Sequence, residues 1–407
     1  MRPDRVYLFT GAAQGFTSSW GLAAVVWWVV ELEFDPLQLV LLGAAIEVTV
    51  LLAEVPTGVV ADLHSRKWSV VIAYLLMGLA MSLAPITPIF GVLLVWQVVW
   101  SIGWTLQSGA DTAWVTDEIE DDPAPLIVRH AVWRSVGLLV GLPVAAVVGW
   151  WSLEGAMVVM GTAAVVVGLG LALVMPERGF TPAERSSDRR WSDAVRVWRA
   201  GAHVVLESPM LRIVVGAMVL MGVADEAVDR LDVLRLVQLG LPQFADEQAV
   251  VFFGAIWWVM TLVNVPVMMW LADRVSSASD ERAARLVQLL LVVSAVGVTA
   301  LALSPAISVA IAGWAVRDVG REVIDPVGVA LANRHAVPES RATVISFRGQ
   351  AEAMGEVIGG LTLGALARAT SVPVALVCAA GVLVIAVLPF AATPSDGRGR
   401  RPPAPGV

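Results

Sequence analysis

The sequence predicts an all-α polytopic membrane protein whose twelve transmembrane helices form two six-helix bundles. Three observations carry that prediction. The composition is 57% hydrophobic and only 15% charged, with a mean hydropathy of +0.77, whereas soluble domains run at roughly half and a quarter. Apolar runs of roughly 20 residues, the length that crosses a ~30 Å hydrocarbon layer, recur about twelve times. One long polar break, from Pro176 to Pro209, divides them six and six.

The first run, Val6 to Val30, is too long for the apolar part of a secretory signal and ends without a small-residue cleavage site, so it reads as a retained span. Leu37 to Ala61 follows the turn at Pro36 as the second helix. Trp68 to Ala84 is the third, stopped by Pro85 and Pro88, and Ile89 to Thr112 is the fourth. Val128 to Trp150 and Leu153 to Met175 complete the first group. The second group reads Met210 to Val228, Gln248 to Ala272, Ala284 to Leu303, Ala306 to Ala332 after Pro305, Ala342 to Ala367, and Val372 to Ala391 with Pro373 in its first turn. The domains are then 1–175, a linker 176–208, a second bundle 209–392 and a tail 393–407.

Charge sets the orientation. Of the 27 Lys and Arg, all but Arg230, Arg235, Arg368, Arg317 and Arg321 fall at one set of helix ends, which the positive-inside rule assigns to the cytoplasm together with both termini. The expected location is the cell membrane. The opposite turn, Glu31 to Asp35, carries acids only. Within the break, Trp191, Ala194, Val195, Trp198, Ala202 and Val205 share one side of a helix and Arg196, Arg199 and His203 another, which suits either a helix on the inner membrane surface or a solvated linker. The single cysteine, Cys378, allows neither a disulfide framework nor a cysteine metal site within one chain. No metal, cofactor or nucleic-acid partner is expected, and the chain is taken as a monomer in the lipid bilayer.

The halves repeat weakly. Glu54-Val55-Pro56 followed by Ala61-Asp62 returns as Asn264-Val265-Pro266 followed by Ala272-Asp273-Arg274, and Arg134 with Gly141 returns as Arg348 with Gly355. A parallel repeat of six helices with its site at the membrane midplane is a known plan for secondary transporters. Between the second and third helices, Gly58, Asp62, Arg66 and Lys67 stand at the spacing Gly-x-x-x-Asp-(Arg/Lys)-x-Gly-Arg-(Arg/Lys), from which Leu63 and Ser65 depart. The stretch resembles the loop signature of the major facilitator superfamily. With the helix count, the remnant at Asp273 and Arg274 and the central break, the resemblance extends over nearly the whole chain, and it points to bacterial drug and metabolite efflux members. It implies a latch in which Asp62 and Arg66, an i,i+4 pair, bind across the bundle interface when the cytoplasmic side is shut. The implied partners are Asp117 at the end of the fourth helix and the N-terminus of the eleventh, with Gly58 permitting close approach of the second helix. An ordinary positive-inside loop would explain Arg66 and Lys67 but not the Gly-x-x-x-Asp spacing. The family's basic residue on the fourth helix is absent, since its motif positions hold Gln97, Ser101 and Gly103, and its fifth-helix export signature is only partial at Gly137, Gly141 and Pro143.

Ionisable residues at membrane depth are costly and mark functional sites by default. The tenth helix carries Arg317, Asp318, Arg321, Glu322 and Asp325 on one stripe with Trp314, spaced so that the cluster can neutralise itself within the helix. Two readings stand: a cavity wall that meets substrate, or a static salt-bridge network. The seventh helix carries Asp225, Glu226, Asp229 and Arg230 beyond Met218 and Met221. Proton-coupling candidates are Asp225, Glu226, Asp318, Glu47 on the second helix, and Glu352 and Glu356 on the eleventh. Glu54 is expected to pair with Arg348 or Arg134. On the fourth helix Trp96, Trp100, Trp104, Gln107 and Asp111 recur at three and four residues, either as a ligand wall or as packing. By the family resemblance the first, fourth, seventh and tenth helices line the cavity, which adds Gln14 and Ser18.

Enzyme readings lack their residues. Lys67 is the single lysine and follows no Gly-x-x-x-x-Gly, so a P-loop is absent, and no His-x-x-x-His pair or Gly-x-Ser-x-Gly elbow occurs. The expected function is proton-coupled export of small amphiphilic organic molecules by alternating access. Import by proton or sodium coupling, and a receptor that keeps the fold without carrying solute, are the alternatives.

Overall fold

The structure, a computed structural model, describes residues 2–119, 122–182, 202–242, 248–276, 279–336 and 341–391, without the side chains of 268–276, 341–343 and 391. The first rod is Pro3–Ser18 and Trp20–Val26, jointed at Ser19 and finished by a π turn at Trp27–Glu31. The second helix, Pro36–Leu63, starts at a capping box: Asp35 accepts from the backbone N–H groups of Leu37 and Gln38, and the Gln38 side chain accepts from Asp35 N–H. Ser65 caps the third, Arg66–Leu83, by accepting from Trp68 N–H at 2.9 Å. The fourth is Phe90–Ser108 continued by Ala110–Glu118, and the fifth and sixth are Ala124–Gly149 and Leu153–Val174.

After the linker come the seventh helix, Pro209–Gln238, the eighth, Ala249–Ser276, and the ninth, Asp280–Leu303. The tenth, Ile307–His335, the eleventh, Arg341–Ala369, and the twelfth, Val372–Ala391, complete these helices among the described residues. Among the described residues, eight helices are long and apolar enough by themselves to cross a membrane. The first, seventh, tenth and eleventh are the others, one broken at Ser19 and three loaded with charge. The proposed surface helix about Trp191 and Trp198, and the tail 393–407, lie outside the described residues.

The packing reproduces the sequence repeat. The fifth helix lies on the first and the eleventh on the seventh. At the repeated positions a Cβ on Gly141 would fall 2.6 Å from Phe16 O, and one on Gly355 2.1 Å from Val219 O, so each crossing needs glycine. The two groups meet along a seam where the second helix packs on the eleventh and the fifth on the eighth.

That seam is shut at one end and open at the other. Near Glu31–Asp35, Val40 lies against Gly360 and Gly364, Gly149 lies against Val250, and Arg368 Nε is 3.5 Å from Asp35 Oδ2. Toward the linker the helices part. Four consecutive side chains of the fifth helix, Ala131 to Arg134, are exposed, although its backbone at His130 and Arg134 rests on Gly11 and Gly15 of the first helix. A Cβ on Gly58 would meet nothing within 4 Å, so the close approach expected there is not made in this conformation.

Large apolar side chains such as Leu52, Leu173 and Leu388 face outward, while Arg317, Asp225, Glu226 and Asp232 are buried. A belt that is oily outside and charged inside is the arrangement a lipid solvent selects, because helices satisfy their own backbone and charges can only face a cavity or each other.

Candidate functional site

Arg317, 1% exposed, is held by the facing seventh helix: its Nη2 donates to Asp225 Oδ1 at 2.5 Å and its Nη1 to Asp229. One turn on, Arg321 Nε lies 3.2 Å from Asp225 Oδ2 and its Nη1 3.4 Å from Asp229 Oδ2. Its Nη2 is 3.9 Å from Glu352 and 3.8 Å from Glu356 of the eleventh helix. The expectation that the tenth helix neutralises itself is therefore corrected. Asp318 accepts from Asn264 Nδ2 of the eighth helix at 2.8 Å, and Asp325 pairs with Arg348. The physical reason is burial: an i,i+4 pair is worth a few tenths of a kcal/mol on a wet surface, whereas a guanidinium enclosed between helices must be met by carboxylates on the helix that encloses it.

A cavity of about 470 Å³ opens beside this knot. Leu138 and Leu142 of the fifth helix, Trp257 and Met260 of the eighth and Trp314 of the tenth give it an apolar wall. The polar wall comes from Glu47, Glu226, Asp229, Arg230, Asp232, Asp318, Arg321, Glu322 and Glu356. Glu226 takes Arg230 Nε at 3.0 Å, and both rest on Gly43 of the second helix, where a Cβ would fall 1.7 Å from Glu226 Oε1. Across the seam Glu47 of the second helix and Glu356 of the eleventh line the same cavity.

A smaller space of about 30 Å³ lies within the first group, between Gln14 and Ser18 of the first helix, Tyr74 and Met77 of the third, and Trp100, Trp104 and Gln107 of the fourth. Trp100 and Trp104 stack at 5.7 Å with planes 9° apart. Gln107 is buried and neither of its side-chain polar atoms has a hydrogen-bond partner. Trp96 packs on the core, as Trp100 and Trp104 also do, but lines neither space. Asp111 lies 4.0 Å from His130 Nε2, whose ring stacks on Tyr7 with centroids 4.2 Å apart. Met218 and Met221 are core residues and line neither space, because their side of the seventh helix is covered by packing.

At the turn after the second helix, Arg66 pairs with Asp117, donates to Ala113 O at 2.9 Å, and lies 3.2 Å from Asp62. Asp62, with a 54% exposed side chain, has Arg66 as its ion-pair partner among the described residues. The Major Facilitator Superfamily profile matches residues 8–282. The chain belongs to the major facilitator superfamily. It is 26% identical over 104 residues to an uncharacterized MFS-type transporter, YxaM, of Bacillus subtilis (strain 168), a match spanning 25% of this chain and 26% of that protein's length. Among solved structures it is similar to the nucleoside transporter NupG, with a TM-score of 0.76 at 14% identity over 96% of this chain and 99% of that one. A bacterial homologue of the human lysosomal transporter Spinster, inward-facing and unoccupied, gives 0.73 at 15% identity over 96% and 97%. A POT family transporter in complex with 5-aminolevulinic acid gives 0.73 at 12% identity over 95% of both chains.

In this major facilitator superfamily member the loop departs from the signature where Ser65 replaces glycine, and the hydroxyl has work there. Besides capping the third helix, Ser65 Oγ donates to Glu177 at 2.7 Å, and Glu177 also accepts from Lys67 N–H at 2.9 Å. The expected pairing of Glu54 is not made, since Arg348 pairs with Asp325 and lies 4.0 Å from Glu352 while the second helix stands away at this end. The side chains of Asp273 and Arg274 lie outside those described. Sequence reasoning missed Asp232, Asn264, His130 and Glu177. Asp232 follows Asp225 and Asp229 on one helical face, and Asn264 occupies the repeat position of Glu54, so both carried a readable signal; His130 and Glu177 did not.

Proposed function

We propose that this superfamily member exports small amphiphilic organic molecules across the cell membrane in exchange for protons, rocking two six-helix halves, 1–175 and 209–392, about the seam. All twelve rods span the membrane in this reading, and the basic helix ends face the cytoplasm with both termini. The described conformation is then inward-open, with its seam closed outside by Asp35 and Arg368.

The observation that carries proton coupling is that Glu47 and Glu356 face one cavity from opposite halves. Two carboxyl groups can lie together at a closed seam without mutual repulsion while at least one of them holds a proton. Proton loss would set two negative charges against each other across the closed seam and favour its opening to the outside. Each charge moved through 100 mV supplies about 2.3 kcal/mol, enough to drive such a cycle.

The test is reconstitution of the full chain in liposomes with an imposed pH gradient and a panel of dyes and small metabolites. Solute flux that follows the gradient supports the reading. Flux that ignores pH overturns the coupling, and no flux for any solute favours a receptor on the same fold.

A further inference from the structure

Most carboxylates near the large cavity have a cation. Arg317 and Arg321 serve Asp225 and Asp229, Arg321 lies near Glu352 and Glu356, and Arg230 serves Glu226. Four wall residues have none: Glu47, Asp232, Asp318 and Glu322 form no salt bridge among the described residues. Asp232 is the most exacting of them. It is 4% exposed, and its one hydrogen bond within the protein is to Oδ1 from the N–H of the next residue, Val233, which leaves Oδ2 without a protein donor on the cavity wall. On the same wall, Asn264 Oδ1 and Trp257 Nε1 are buried without partners. Buried polar atoms are left unmatched in a protein where something else matches them, and for a carboxylate the match is a donor carrying positive charge.

We infer that the solute is an organic cation, its charged head seated among Asp232, Asp318 and Glu322 and its apolar body against Trp257, Trp314 and Leu142. The volume of about 470 Å³ suits a single small molecule, since ligand sites commonly span ~300–1,000 Å³. The wall as a whole excludes the other classes. Seven acids and two arginines line it, and both arginines are already held by carboxylates, so an anion would find no free donor and would face a surplus of negative charge. A neutral solute would leave Asp232 unmatched. The indoles of Trp257 and Trp314 add favourable faces for a quaternary or protonated amine.

This inference rests on the transport reading for its biological sense, but binding tests it separately. The probes share one aromatic body: trimethyl(2-phenylethyl)ammonium, whose charge is permanent, neutral N-(2-phenylethyl)acetamide, and anionic 3-phenylpropionate. Each is titrated calorimetrically into the full chain in uncharged maltoside micelles. The ammonium is expected to bind at least about tenfold more tightly than either of the others, a difference of about 1.4 kcal/mol. Asp232→Asn and Asp318→Asn should each cut that preference severalfold, and monodispersity with an unchanged circular-dichroism spectrum shows that the variants are folded. Equal or weaker binding of the ammonium, absence of binding by all three probes, or a preference that survives both substitutions overturns the inference. In liposomes, flux of a neutral or anionic solute without ammonium binding would refute the cation and leave transport standing, whereas ammonium binding without any flux would do the reverse.

Discussion

Arg317 donates to Asp225 at 2.5 Å across the interface of the tenth and seventh helices, and both side chains are almost wholly enclosed. Removing the base would leave two carboxylates, Asp225 and Asp229, facing each other with only Arg321 between them. Arg317→Met should lower stability by about 3–5 kcal/mol, the usual cost of breaking one side of a buried pair. In an Asp225→Asn/Asp229→Asn background the same substitution should cost much less. Thermal unfolding of the four proteins in micelles measures the difference, and equal losses in the two backgrounds would show that the pairing is not what holds Arg317.

Val40 and Gly364 come together across the closed end, where a Cβ on Gly364 would lie 3.0 Å from Val40 Cβ. A Val40→Cys/Gly364→Cys pair in a Cys378→Ser background should form a disulfide on oxidation with a small backbone shift. Flux should stop when the bond forms and return on reduction. Unimpeded flux through a fully oxidised sample would mean that this end never opens.

Asp62 and Arg66 form a wet i,i+4 pair worth under about 1 kcal/mol, so Asp62→Asn should leave insertion and melting unchanged. Its expected effect is on rate. A roughly tenfold slower flux is the size a lost transition-state contact of about 1.4 kcal/mol would produce. Wild-type kinetics in this variant would remove the latch from the mechanism.

Glu47→Gln and Glu356→Gln replace one carboxyl of the cross-seam pair by an amide that cannot release a proton. Each variant should hold the outer seam closed at every pH and lose the pH dependence of flux. The measurement is the flux profile against external pH. Retained wild-type dependence in both would place the proton site elsewhere.

Trp100 and Trp104 stack in the smaller space beside Gln107. If that face receives the apolar end of a solute, Trp104→Ala should weaken binding of aromatic solutes about fivefold, in line with about 1 kcal/mol for an aromatic contact, without altering cation preference. Unchanged affinity would assign both indoles to packing.

The fold was largely legible because lipid imposes a length and an oiliness on each span. Ile89 to Thr112 and Leu153 to Met175 needed nothing more. Hydropathy ends the seventh helix at Val228, since Asp229, Arg230 and Asp232 close its apolar run, yet the helix continues to Gln238. Hydropathy cannot know that Arg317 waits on a neighbouring helix to compensate Asp229. The site was legible as a set of costly residues but not as pairs. Spacing along the tenth helix suggested partners four residues apart, and the structure finds those of Arg317 and Arg321 on other helices, because sequence order carries no information about which rods face each other. Glu54 shows the same limit, since Arg348 is met by Asp325 instead.

The early residues of the linker are not slack. Trp114 Nε1 donates to Pro176 O at 2.6 Å, Glu177 is bound to Ser65 and Lys67, and Glu118 accepts from Gly179 N–H at 2.8 Å. Residues Pro176 to Gly179 are therefore fastened to the first bundle, and they splint the turn between its second and third helices from below.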